Sequence, residues 1–257
     1  GQSRSGRAGL RLHVARQRLT DEEQLEKAFA DYDKALVLNP SFAAIYANRA
    51  IALQIDGQLD RAMADYERAI ALDPEDAATY YNRGLLFQDR DDPVRARADF
   101  DRAIALDPEL AASYHARALL HEDSGDLESA LADFDQAAAL APAVGVFRGD
   151  ACWIRAVLGR ELDVALAHCD AAVDSEPDDE NHLYVRGLVH LKARRFGEAI
   201  ADLSAVLAIT PQDARSLFAR GVSRLAGGDR GGMRDLEAAR ALEADIDEIF
   251  ADIGIRP

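Results

Sequence analysis

The residues of this 257-residue chain that could do chemistry are few. There are two cysteines, Cys152 and Cys169, and six histidines: His13, His115, His121, His168, His182 and His190. A thiol becomes a nucleophile only beside a base or a positive charge. No Ser/His/Asp or Cys/His constellation is placed by spacing. His121-Glu122-Asp123 offers three ligand types in a row, but consecutive helical residues point in different directions. The histidines therefore read as core or interface residues, and no metal ion is expected. Residues 227–232 are glycine-rich, as a phosphate loop would be. They follow a helical segment rather than a strand, however, and lack the Gly-Lys-Ser/Thr ending, so they read as a turn. The expectation is a protein that is not an enzyme and takes no cofactor.

What must position any binding residue is a repeat. Pro40, Pro74, Pro108, Pro142, Pro177 and Pro211 stand 34 residues apart, except for 35 between Pro142 and Pro177. A fixed period of that size marks a solenoid of stacked units. In residues 77–110, Tyr80, Gly84 and Phe87 fall at i, i+4 and i+7 on one helical face. Ala96, Phe100 and Ala103 repeat that spacing on a second segment. Asp89-Arg90-Asp91-Asp92-Pro93 lies between them as a polar turn, with Pro93 suited to a first helical turn. The second helix stops before Pro108, because the residue preceding a proline is pushed out of the helical region.

The order Tyr80, Gly84, Phe87, Ala96, Phe100, Ala103, Pro108 resembles the tetratricopeptide repeat, a 34-residue helix-turn-helix unit. Tyr46, Ala50, Leu53, Ala62, Tyr66, Ala69 and Pro74 match it in the preceding unit. Tyr114, Ala118, His121, Ala130, Phe134, Ala137 and Pro142 match it in the following one, and Leu183, Gly187, His190, Ala199, Leu203, Val206 and Pro211 match it further on. The resemblance implies an all-α fold, a right-handed superhelical solenoid of about seven repeats at 9–42, 43–76, 77–110, 111–144, 145–179, 180–213 and 214–246. Residues 1–8 read as a flexible leader. A C-terminal helix at about 245–253 presents Ile246, Ile249, Phe250 and Ile253 on one face and is expected to cap the stack. The unit at 145–179 departs most from the pattern. Its small site is Cys152, Trp153 is beside it, and the turn at 159–163 is expected to hold the extra residue.

Net charge is −16, which argues against nucleic acid as a partner, since binding its backbone needs a basic footprint. Residues 1–20 carry five arginines and no acid, but no apolar core follows as a signal peptide requires. No apolar run of about 18 residues exists, so no membrane insertion is expected. Arginine precedes the small site in five units, at Arg49, Arg83, Arg117, Arg186 and Arg220. Asp65, Asp99, Asp133, Asp202 and Asp235 stand at a constant place on the second helix. In 145–179 these places hold Ala151 and His168, so both partners are lost together. An Arg–Asp pair tying each hairpin is expected.

In the family, first helices line a concave groove that holds an extended peptide or a partner helix. Resemblance assigns to that groove Asn48, Gln54, Tyr81, Asn82, Leu85, Gln88, His115, Glu122, Trp153, Tyr184, Leu188 and Phe218. Asn48 and Asn82 match the asparagines of the two-carboxylate clamp. Its lysines are absent, with Ala47 and Tyr81 in one required place and Ala78 and Ala112 in another, so capture of carboxylate tails is not implied. Cys152 and Cys169 occupy facing places of the resembled hairpin. A disulfide there would suit an oxidising compartment such as the periplasm, and free thiols would suit the cytoplasm. The expected function is a protein–protein interaction scaffold with another protein or peptide as partner. The alternatives are a subunit contacting partners end-to-end through its terminal repeats, with weak self-association, or a thiol-dependent redox-sensitive protein. Heavy use of Ala and Arg points to a GC-rich bacterial genome.

Overall fold

The computed structural model of the protein describes residues 22–257. The leader at 1–8, the first helix expected in 9–42 and His13 lie outside the described residues. The remainder is helical, with no strand among the described residues. The helices are α1 (Glu22–Leu38), α2 (Ala43–Ile55), α3 (Leu59–Leu72), α4 (Ala77–Asp89), α5 (Pro93–Leu106), α6 (Ala111–Asp123) and α7 (Leu127–Leu140). They continue as α8 (Gly145–Leu158), α9 (Leu162–Ser175), α10 (Glu180–Lys192), α11 (Phe196–Ile209), α12 (Ala214–Ala226), α13 (Gly232–Leu242) and α14 (Ile246–Asp252). The chain forms two compact units, one ending at Ala116 and the other running Arg117–Pro257.

The helix ends follow from local chemistry. Asp76, Asp92, Asp126, Asp179 and Asp213 each accept a backbone N–H of the first turn of the helix they precede. This satisfies a donor that has no partner within the helix. Pro93 opens α5, where its missing N–H costs nothing. At the other end, Asp73 and Asp107 before their prolines are extended, which stops α3 and α5.

Within the first unit α2 packs on α3, α4 on α5, and α2 on α4. Ala50, Leu53, Ala62, Tyr66 and Leu86 form a buried cluster there. Close approach of α4 to α5 depends on Gly84. A Cβ at that position would lie 2.5 Å from Cε1 of Phe100, closer than any van der Waals contact allows. The second unit repeats the scheme with α8/α9, α10/α11 and α12/α13, and first helices again touch the next first helix, α8 to α10 and α10 to α12. This succession defines an all-α repeat solenoid.

In the second unit α14 lies on α12 and α13 and buries Ile246 and Phe250. The Phe250 ring is 4.5 Å from that of Phe218. Ile249 and Ile253 are half-buried against the same cluster, which also takes in Ile255. The extra residue of the 145–179 unit is not in the turn, as expected from the sequence, but in the helix. α8 has 14 residues where α2, α4, α6, α10 and α12 have 13. It ends on Gly159 in the left-handed conformation, whose N–H reaches back to the carbonyls of Arg155 and Ala156.

Candidate functional site

The side chains available for binding are those left over once the hairpins have been tied, and the ties are consistent. In the first unit Arg83 donates from Nε and Nη2 to the two carboxylate oxygens of Asp99, both at 2.8 Å. Arg49 does the same to Asp65 at 2.6 and 2.8 Å. In the second unit Arg117–Asp133, Arg186–Asp202 and Arg220–Asp235 form the same fork at 2.7–2.9 Å. Two parallel charge-assisted bonds match the guanidinium plane to the carboxylate. Hydrogen bonding to the aspartate raises the pKa of Arg49, Arg83 and Arg186 despite the opposing effect of burial.

The α8/α9 hairpin lacks the fork and is joined instead by a Cys152–Cys169 disulfide with a Cα–Cα distance of 5.6 Å. Both cysteines are buried among Ala156, Ala165, Leu166, Val185 and Val189. Arg155, one turn beyond the vacated place, reaches the two carboxylate oxygens of Asp135 on α7 at 2.7 and 2.8 Å, and Glu161 at 3.0 Å. Sequence reasoning missed this group. Its partners are 20 residues upstream and six downstream, outside the separation of 16 residues, or 15 for Arg220–Asp235, that the regular pairs keep. His168, which stands in the aspartate place, has its pKa lowered by burial and then by Arg155.

In the first unit the expected binding residues come from α2, α4 and the start of α6. Asn48 is exposed, and Asn82, Leu85 and Gln88 are half-buried. Asn48, Asn82 and Gln88 have no side-chain partner among the described residues. Tyr81 is half-buried with its ring 6.0 Å from that of Phe100. Gln54 is already engaged, donating to Asp89 at 2.7 Å and accepting from the Tyr66 hydroxyl at 3.1 Å. Burial, and then the Asp89 carboxylate, push the Tyr66 phenol well above its ordinary range, so it remains a donor. His115 is fully buried.

In the second unit the Trp153 indole donates to Glu122 at 2.9 Å and packs on three separate apolar clusters. Tyr184 is half-buried beside it. Leu188 and Phe218, expected to face a ligand, are wholly interior. The reason is local: Trp153 and Tyr184 lie against the cluster that contains both residues, and Phe250 covers Phe218. Register places a residue on a helical face, but the size of its neighbours decides how deep it sits. A cleft of about 750 Å³ in this unit is lined by residues that include Val157, Leu191, Lys192, Phe196, Val222 and Ile253. Burial lowers the Lys192 pKa, and its ammonium donates to the Val157 carbonyl at 3.4 Å.

An all-α solenoid tied at a constant register defines a class of helical repeat proteins. Family models described as tetratricopeptide repeat match residues 31–64 and residues 81–145, 155–214 and 184–249, and one described as TPR repeat matches 55–90. The chain belongs to the tetratricopeptide repeat family, a family of protein-interaction repeats. Solved structures share the fold. YrrB, described as a TPR protein with an unusual peptide-binding site, is 23% identical with a TM-score of 0.64, covering 74% of this chain and 97% of its own. PilF of Pseudomonas aeruginosa is 16% identical with a TM-score of 0.65, covering 82% and 97%. A tetratricopeptide repeat protein of Parabacteroides merdae is 18% identical with a TM-score of 0.58, covering 97% and 100%. No curated protein matches the chain.

Proposed function

We propose that the protein is a scaffold that binds an extended segment of another protein along the first helices α2 and α4. The observation that carries this reading is the state of the polar side chains there. Asn48, Asn82 and Gln88 are accessible amides without a side-chain partner among the described residues, whereas Gln54, Arg49 and Arg83 are committed to intramolecular bonds. An amide both donates and accepts, as a peptide backbone does. Asn48 and Asn82 recur one repeat apart, so they could hold successive stretches of one chain. Tyr81 and Leu85, half-buried on the same helix as Asn82, supply apolar surface. The likeness to YrrB, whose description includes a peptide-binding site, supports a peptide as ligand. The net charge of −16 favours encounter with a basic segment over an acidic one.

The test is selection of binding peptides from a random library, followed by calorimetry against Asn48→Ala/Asn82→Ala/Gln88→Ala. Loss of binding with unchanged helicity and melting temperature is the expected outcome. Retained affinity would move the site away from α2 and α4. Weakening of binding as salt rises is expected for a basic ligand.

The disulfide bears on compartment. A buried Cys152–Cys169 bridge belongs in an oxidising environment such as the periplasm. Protein isolated from its source without reductant should give no free thiols in denaturant. Two thiols would place it in a reducing compartment.

A further inference from the structure

We infer that Glu176, Asp179 and His182, at the junction of α9 and α10, form a binding site for a divalent transition-metal ion of the zinc class. The frame for this site recurs along the chain. Each of the six junctions that carry a proline has a residue before the proline, a residue three further on that immediately precedes the next helix, and a third-position residue inside its first turn. At the Pro74 junction of the first unit these places hold Asp73, Asp76 and Thr79. At the Pro211 junction they hold Thr210, Asp213 and Ser216. Thr79 and Ser216 are buried hydroxyls. Only where 145–179 meets 180–213 do two carboxylates meet an imidazole.

The geometry brings the three together. One ligand atom from each residue lies within 4.8 Å of the other two. The Asp179 carboxylate accepts the His182 backbone N–H at 2.8 Å and so is fixed at the head of α10. His182 Nδ1 is 3.7 Å from that carboxylate, near the separation of about 3.3 Å that two ligands take around a tetrahedral ion bonded at roughly 2.0–2.1 Å. Glu176 is exposed, and its side chain can swing to close the remaining gap.

The imidazole is the second, independent observation. Its side chain is only 5% exposed, yet buried Nδ1 has no hydrogen-bond partner. A buried polar atom left unpaired is costly and calls for a missing partner. The ring is held in place by Gly149 on α8, where a Cβ would lie 2.9 Å from His182 Cδ2 and 3.0 Å from Nε2. An imidazole in this place, where Thr79 and Ser216 carry a hydroxyl, therefore fits only beside a residue without a side chain at position 149. The ring so positioned turns its unpaired nitrogen toward two acids.

Imidazole with two carboxylates suits a borderline ion such as Zn(II) or Co(II) better than Mg(II) or Ca(II), which prefer all-oxygen sets. The positive end of α10 opposes a cation, but that partial charge is small beside two full carboxylates. Three protein ligands leave at least one coordination position for water.

The experiment uses the full chain, stripped with chelator and desalted, titrated with Zn(II) by calorimetry and with Co(II) by visible absorption. One saturable equivalent is expected, together with a Zn(II)-induced shift of the His182 Nδ1 resonance. Glu176→Gln and Asp179→Asn should each weaken binding by at least about ten-fold. Both should leave the metal-free melting temperature unchanged, because Glu176 is exposed and asparagine also caps a helix. The inference is overturned by absence of binding, by uptake without saturation at one equivalent, by unaltered affinity in both variants, or by a silent His182.

Discussion

The hairpins α4/α5 and α8/α9 solve one problem in two ways. In α4/α5 the helices approach through Gly84, whose missing side chain admits the Phe100 ring, and are tied by the Arg83–Asp99 fork. In α8/α9 both arrangements are gone. Cys152 and Cys169 stand where Gly84 and Phe100 do and replace an aromatic contact with a bond. The ionic tie has moved, and Arg155 now joins α8 to Asp135 of the preceding helix and to Glu161 of its own turn. A covalent link stands in the hairpin that lacks the fork, and Arg155, one turn beyond the vacated place, binds acids outside the hairpin's usual pair. The aspartate place then tolerates His168, which would be a poor neighbour for a buried arginine fork.

The largest expected effect tests the covalent side of this contrast. Cys152→Ala/Cys169→Ala, or reduction, should destabilise the second unit by about 3 kcal/mol, the chain-entropy value for a loop of this size. Calorimetry should show its transition moving to lower temperature. If the bridge is superfluous, the transition stays where it is.

Next come the two arginines. Arg83→Ala leaves Asp99 unpaired with only 8% of its side chain exposed, and should cost about 2 kcal/mol, with Arg83→Ala/Asp99→Ala clearly less than additive. Arg155→Ala leaves Asp135 and Glu161 at 38% and 52% exposure, so water can replace the lost partner and the cost should be smaller. Equal losses by urea titration would show that shielding of the aspartate does not govern the fork.

The histidine in the aspartate place provides a pH test. Burial, then Arg155 and Arg148, lower the His168 pKa, with Asp135 acting in the opposite direction. The folded state therefore binds fewer protons than the unfolded state just below the unfolded value of ~6.5. Stability should fall as pH drops through that value, and His168→Gln should flatten the urea midpoint between pH 7 and pH 5.5. An unchanged slope would assign the pH dependence to other groups, with His190, whose pKa burial also lowers, next to examine.

The smallest effect concerns the turns. Asp91 of the α4/α5 turn has a φ of 58°, in the region where Gly57 and Gly125 sit in the turns on either side. Asp91→Gly should stabilise the protein by about 0.5–1 kcal/mol by relieving left-handed strain. Glu161 also has positive φ, but replacing it with glycine removes a bond to Arg155 and should yield no such gain.

Most of the architecture was legible in the sequence because a repeat is a local code. Proline ends the second helix, an acid caps the next, and small residues mark where helices touch. The Arg–Asp pairing could be read in the same way, since a separation of 16 residues, or 15 in the last pair, recurs at one place in the unit. Reading failed where a position's neighbours differ from repeat to repeat. Phe218 and Leu188 share a helical face with potential ligand-contacting residues, but Trp153, Tyr184 and Phe250 close over them. His115 went inside as well. The extra residue was assigned to a turn because turns tolerate insertion, whereas α8 absorbed it as one more helical residue.

By itself the sequence determined the helices, their order and the tie within each regular hairpin, because these depend on residues at fixed short separations. Only the tertiary structure decided which side chains remained unpartnered at the surface, where Arg155 found its acids, and that His182 turns an unpaired nitrogen toward two carboxylates. Those outcomes depend on the size and depth of side chains packed from neighbouring helices, and a one-dimensional pattern does not carry that information.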